Sequence, residues 1–330
     1  MSDSHPKKYI FLEPYEYSNQ FIDELKLTFI ALGYKVEPFK SIEQYASVPK
    51  SSKIAVINWL EDQPSYNQSH FQAWLDFLRV IKKALLIKLK MNRVIWIQHN
   101  FRPHNREYGQ TTFHFTQTMF SFLKFKKLVM ERSAVGDNIT HPLYLSDKQN
   151  DRLQTQLKSF ECEGQHDVLF FGAIKKYKNL HEILQYWPVD LTLRVIGSAE
   201  SQDYVNQLRE IVARRALSVV IENRFIESEE LDNLLKSYKW VLVPHANNTM
   251  VASGSFYHAI SYGCNAICNA SEFGLLKSKQ HEFVQVIDQQ TFSNGFLEKH
   301  FVPKHQVLAQ VLEHYGEQVR LAQWDKVLND

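Results

Sequence analysis

The chain has 330 residues, 44% of them hydrophobic and 13% aromatic, with 38 Lys and Arg against 36 Asp and Glu for a formal net charge of +2. That near-balance excludes a general nucleic-acid binder, which needs a strongly basic surface, and the apolar content excludes a disordered chain. The length suits two domains of about 150 residues each.

Short apolar runs alternate with amphipathic segments. Residues 9–12 read as a strand, 19–32 as a helix stopped by Gly33, 34–39 as a second strand, 54–57 as a third and 93–97 as a fourth. A polar stretch over 146–166 precedes a second set, with strands at 167–171, 191–196, 219–221 and 240–243 and helices at 203–216 and 228–237. Strands alternating with helices predict parallel sheets covered on both faces. The expected fold class is α/β, two Rossmann-like, doubly wound domains (1–160 and 161–330) facing across a cleft. In such sheets ligands sit at the carboxyl ends of the strands.

The first residues, Met1 to Lys8, are polar and carry no secretory signal, and no run approaches the ~20 apolar residues that span a bilayer. The expected location is cytoplasmic. Cys162, Cys264 and Cys268 have no metal-binding spacing, and buried free thiols are expected. Residues 77–90 and 121–129 are both basic and apolar. Each reads either as a basic amphipathic helix on an anionic membrane surface or as a sheet-packed helix with snorkelling lysines.

The strand ends carry the chemistry. After 168–171 come Gly172, Lys175, Lys176 and Lys178, then a helix from about 179. Glycine permits close backbone approach, and a helix start with lysines makes either a pyrophosphate cradle or an ordinary solvated turn. After 240–243 comes a polar loop with Thr249, Ser253, Gly254 and Ser255, which opens another helix. Two anion-friendly starts in one half point to a nucleotide-diphosphate site. No G-x-x-x-x-G-K-[ST] and no G-x-G-x-x-G follows a strand, so neither a P-loop nor an NAD fingerprint is present. Arg224 to Leu231, with Phe225, reads as a capped helix start or as a loop lining a base pocket. In the first half, 54–57 runs into Asn58, Trp59, Leu60, Glu61 and Asp62, and 93–97 runs into Gln98, His99, Asn100, Phe101, Arg102, Pro103 and His104. Glu61, Asp62, His99 and His104 form the pool for acid–base chemistry. Glu13 and Glu16 are weaker candidates.

These pieces together resemble a known family. Asn58-Trp-Leu-Glu61, Ile95 to His104, Phe171 to Asn179 (F-G-A-I-K-K-Y-K-N) and Thr249 to Gly263 follow, in order, motifs of the GT-B glycosyltransferases of the bacterial exopolysaccharide, capsule and lipopolysaccharide assembly type, family 4-like. The resemblance covers most of the chain. It implies transfer of a sugar from a nucleotide-diphosphate sugar to a glycan, often lipid-linked, with no metal and no other cofactor. Helix N-termini and lysines then replace a cation at the leaving diphosphate. Carried over, Lys175 and Lys178 hold the diphosphate with Ser253, Gly254 and Ser255, and His99 faces the donor sugar or the acceptor hydroxyl. The last helix, about 316–328, crosses back to the first domain. Partners implied are the donor and a lipid-linked acceptor, and the basic stretches 77–90 and 121–129 add an anionic membrane surface, on the inner face, as an expected partner. Two departures stand out. The paired glutamates of many retaining relatives are replaced by Met250 and His258, and no glycine-rich loop follows the first strand. The alternatives are a GT-B-like sugar-nucleotide epimerase and a non-catalytic sugar-nucleotide-binding partner.

Overall fold

A computed structural model describes residues 8–17, 20–67, 69–99, 103, 106–130, 138–159, 168–244, 253–287, 289–290 and 292–330, without the side chains of Arg106 and Asn294. The chain divides into two compact units: Met1–Pro142 with Glu317–Asp330, and Leu143–Gly316.

In the first unit six parallel strands, β1 (Tyr9–Glu13), β2 (Lys35–Pro38), β3 (Lys53–Asn58), β4 (Arg93–Gln98), β5 (Lys126–Met130) and β6 (Asn138–Ile139), lie in the order β2-β1-β3-β4-β5-β6. Helices α1 (Phe21–Ala31), α2 (His70–Lys90) and α3 (Arg106–Phe122) connect them. Side chains alternate across the pleat. Phe11, Ala55, Ile57, Val94 and Trp96 share one core with Val80, Ala84 and Ile87 of α2 and Phe120 of α3. Ile10, Leu12, Ile54, Val56, Ile95 and Ile97, the alternate residues, are equally buried.

The second unit begins with α4 (Asp147–Ser159). Its strands are β7 (Val168–Phe171), β8 (Leu193–Ile196), β9 (Val219–Glu222), β10 (Trp240–Val243), β11 (Asn265–Asn269) and β12 (Val284–Ile287), in the order β12-β11-β10-β7-β8-β9. The helices are α5 (Leu180–Ile183), α6 (Gln202–Arg214), α7 (Ser228–Ser237), α8 (Gly254–Ser261), α9 (Glu272–Gln280), α10 (Asn294–Lys299) and α11 (Lys304–Tyr315). Leu169, Phe171, Val241 and Val243 face one core, and Val168, Phe170, Trp240 and Leu242 the other. Both sheet faces are buried, so these strands read as unbroken apolar runs.

The last helix, α12 (Glu317–Asn329), lies in the first unit. Trp324 meets Phe29 of α1 edge-on at 4.7 Å, and Arg93 donates to the carbonyls of Val327 and Leu328, which the helix leaves unsatisfied.

Two expectations need correction. The division falls at 142/143 and not 160/161, because α4 packs on α11 and Leu153 joins the second unit's core. Residues 121–129 are not a helix: α3 ends at Phe122, a turn follows, and β5 begins at Lys126, with Leu128 buried in the sheet. Cys264 and Cys268 are buried free thiols, the latter pushed up to about 12 by burial, while Cys162 lies outside the described residues.

Candidate functional site

Each sheet reverses its winding at one point, and the crevice outside the strand ends there is the usual ligand position. In the second unit the reversal lies between β7 and β10.

β7 runs into Gly172, whose φ of 97° is in a region that L side chains rarely adopt. A methyl group on Gly172 would sit 3.4 Å from Lys178 Nζ and 3.5 Å from Ser255 Oγ, so the lysine, the hydroxyl and the bare backbone converge on one spot. Lys178 is buried. Among the described residues no acceptor takes a hydrogen bond from its ammonium and no carboxylate pairs with it; its one neighbour of note is the Phe170 ring, 5.2 Å away. Burial, reinforced by the charge of Lys175, brings its pKa down to about 8. A buried cation without a counter-ion is costly, and an anionic ligand at this spot removes the cost.

The helix expected from about 179 is only four residues long, so α5 supplies little dipole. α8 supplies it instead. The Ser253 side chain accepts from Phe256 N at 3.3 Å, an N-cap. Ser253 is therefore occupied in closing the helix, and the donors left at its start are the N–H groups of Gly254 and Ser255, for which no acceptor stands among the described residues. Thr249 lies outside the described residues. Lys175 is half-buried. Phe225 is 71% exposed on the turn between β9 and α7, beside Arg224, whose guanidinium is held by Glu222 and Glu230.

Sequence reasoning missed the wall behind α8. The Tyr144 ring stacks flat on His258 at 4.3 Å, and a methyl on Gly254 would come within 2.9 Å of Tyr144 Oη. Burial pushes the Tyr144 hydroxyl up to about 12. His258, 3.6 Å from Asp232, is held below its ordinary value by burial, against the pull of that carboxylate. Tyr144 stands 110 positions before Gly254 in the sequence, so no local pattern links them.

In the first unit the reversal lies between β1 and β3. Trp59, directly after β3, has φ 52°, an outlier for a bulky residue. Its ring is the middle of a stack, 4.6 Å from Tyr17 and 4.1 Å from His99, with Phe21 edge-on to both Trp59 and His99. His99 Nε2 lies 2.9 Å from Asn58 Oδ1. Burial and the charge of His141 hold His99 well below its ordinary value, so the ring is neutral. With Nε2–H donating to Asn58, Nδ1 is the unprotonated nitrogen.

Glu61 and Asp62 follow in a 3-10 turn (Leu60–Tyr66) and are fully buried. Burial, with the neighbouring charge of Asp62, pushes Glu61 up to about 8, so it is protonated near neutral pH. Glu13 is tied to Lys83 of α2 by an ion pair, and Glu16 is exposed. His104, Asn100 and Arg102 lie outside the described residues.

No family model matches the sequence, and no curated protein matches it. Solved structures do match the fold. AviGT4, a glycosyltransferase involved in avilamycin A biosynthesis, aligns with a TM-score of 0.60 at 12% identity, over 97% of this chain and 96% of that one. HepE of Anabaena, in complex with UDP and glucose, aligns at 0.58 and 15% identity over 98% and 99%. A trehalose-6-phosphate structure from E. coli, bound with UDP-2-fluoro glucose, aligns at 0.58 and 8% identity over 98% of each chain. With two six-stranded parallel sheets, the chain has the GT-B fold.

Proposed function

We propose that this protein is a glycosyltransferase, of the hexosyltransferase class, that moves a sugar from a nucleotide-diphosphate donor to a glycan acceptor. One observation carries this: the buried ammonium of Lys178, with no carboxylate partner among the described residues, beside the amides that open α8 and the bare backbone of Gly172. A ligand there must bring negative charge, and a diphosphate matches two N–H groups, one hydroxyl and one ammonium. That HepE and the E. coli structure hold UDP or UDP-2-fluoro glucose makes a nucleotide sugar the first ligand to test.

In this assignment Lys178, with Lys175 behind it, neutralises the diphosphate as it leaves. Gly254 N–H, Ser255 N–H and Ser255 Oγ hydrogen-bond its oxygens, while Ser253 fixes the helix that presents them. Thr249, which precedes that helix in the sequence, is assigned to the same ligand, and Phe225 offers a ring to the base. No cation is needed, because fixed dipoles and ammonium groups stabilise the developing charge.

The acceptor belongs to the first unit's strand ends. The bond from the sugar's anomeric carbon to the phosphate oxygen breaks, the acceptor oxygen takes its place, and the acceptor proton must go to a base. Neither Glu61, already protonated, nor His99, whose burial disfavours imidazolium, suits that role. We assign the proton to the departing diphosphate, and His99 to hydrogen bonding with sugar. Asp62 and His104 complete the pool. The acceptor is proposed to be a lipid-linked glycan of bacterial surface polysaccharide synthesis, with the protein peripheral on the inner membrane face through the lysines of 77–90.

Incubating the protein with a panel of nucleotide sugars and lipid-linked acceptors, in chelator, tests the proposal. Transfer releases the nucleotide. An epimerase would leave it attached to the sugar, and a binding partner would change neither substrate.

A further inference from the structure

Helix α2 is apolar on two opposite faces, and the protein's own core uses only one. Ala73, Val80, Ala84 and Ile87 are buried, the last three in one core with the sheet. On the other side Phe71, Leu75, Leu78, Leu85 and Leu89 recur at helical spacing, within a sector about 80° wide at 100° per residue. They are open to solvent: Phe71 is 73% exposed, Leu78 59% and Leu89 71%. Trp74, Phe77 and Phe115 of α3 form an aromatic cluster beside the stripe, with ring centroids 5.3–6.4 Å apart, and Phe122 at the end of α3 is 78% exposed. Isolated exposed leucines need no explanation, but a continuous stripe over five turns does.

The charges say what covers it. Arg79, Lys82, Lys83, Lys88 and Lys90 stand on α2 against the single acid Asp76. Arg79 pairs with Asp76, Lys83 with Glu13 and Lys90 with Glu43. Among the described residues no carboxylate pairs with Lys82, which lies inside the apolar sector, or with Lys88 beside it. A second copy is a poor occupant: a two-fold contact through the middle of the stripe would bring Lys82 against its own counterpart, with no acid between them. A layer with acyl chains below and anionic headgroups above satisfies both the leucines and the ammonium groups, which reach the headgroups by snorkelling. No helix among the described residues is long and apolar enough to cross a membrane.

We infer that the exposed face of α2 inserts into the acyl boundary of an anionic lipid leaflet, with Lys82 and Lys88 at headgroup level. This deepens the surface attachment proposed above, which needs charge alone. Insertion and charge separate by salt, because at about 1 M the screening length falls to about 3 Å. The test is co-sedimentation of the full chain with phosphatidylcholine vesicles, with and without phosphatidylglycerol, at low and high salt. Wild type is expected to bind the anionic vesicles and to stay partly bound at high salt, with tryptophan fluorescence quenched by brominated acyl chains. Leu78→Asp with Leu85→Asp is expected to lose about ten-fold or more of the binding at both salts. Lys82→Gln with Lys88→Gln should lose only the low-salt increment. Leu78, Lys82 and Leu85 are exposed and Lys88 is half-buried, so circular dichroism and Tm should match wild type. Complete release of wild type by high salt would overturn insertion while leaving charge-based attachment standing. No vesicle binding at all would overturn both. A concentration-dependent dimer, abolished by the aspartates in the absence of vesicles, would make a second copy the occupant and reject the lipid.

Discussion

Lys178 carries the heaviest functional assignment in the molecule. Replacing it with alanine should lower transfer by more than ~10-fold, since one charge-assisted contact to a leaving diphosphate contributes about 1.5–3 kcal/mol; steady-state kinetics with a saturating acceptor reads the loss. Its pKa of about 8, down from 10.5, gives the pH dependence a sign. Donor binding needs the ammonium, so affinity holds below pH 8 and declines as pH rises above it. Without donor the stability change runs the other way. Between about 8 and 10.5 the folded chain has given up this proton and the unfolded chain still holds it, so stability rises with pH there. Donor titrations and thermal melts across that window, on wild type and Lys178→Met, check both signs. Gly172→Ala should reduce donor affinity sharply, because the methyl occupies the spot where Nζ and Ser255 Oγ converge and φ of 97° strains any L side chain. The sequence placed a lysine and a glycine at this strand end. It did not show that the lysine is buried or that it converges with Ser255, which stands 77 positions further along the chain.

At the scale of elements, strand ends were the legible part, since apolar runs bounded by Asp167 and Gly172, and by Lys239 and Pro244, locate β7 and β10 almost to the residue. The division of labour at α8 was not legible. Ser253, Gly254 and Ser255 look alike as anion donors, yet Ser253 closes the helix. Ser253→Ala is expected to cost about 1 kcal/mol of stability as a lost N-cap, a shift that denaturant melts resolve. The lysines of 121–129 misled in the same way: Lys126 and Lys127 suggested a cationic helix, whereas pairing with β4 and β6 makes a strand of Lys126–Met130. Helical periodicity showed that α2 was amphipathic. Only the structure shows which of its two apolar faces the sheet takes. Trp59, at φ 52° inside an aromatic stack, is the element-level oddity of the first unit, and nothing in its local sequence demands that conformation.

At the scale of the whole molecule, two switch points built on the same principle, one in each unit, position the candidate residues, and the carboxyl-terminal helix completes the first unit from the far end of the chain. Trp324→Ala should destabilise that unit by about 3–5 kcal/mol, because the buried indole packs on Phe29 and its loss leaves a cavity; hydrogen exchange localised to α1 and α12 would register it. The domain pattern was readable from strand–helix alternation, but the exact division was not, since the polar composition of 146–159 disguises a helix that packs on α11. The most direct measurement is calorimetric titration with UDP and a panel of nucleotide sugars in the presence of chelator. Binding by wild type that weakens at least about ten-fold in Lys178→Ala is the predicted result. An absence of binding, or equal binding by the two proteins, would contradict the assignment of the second unit's cradle to a nucleotide diphosphate.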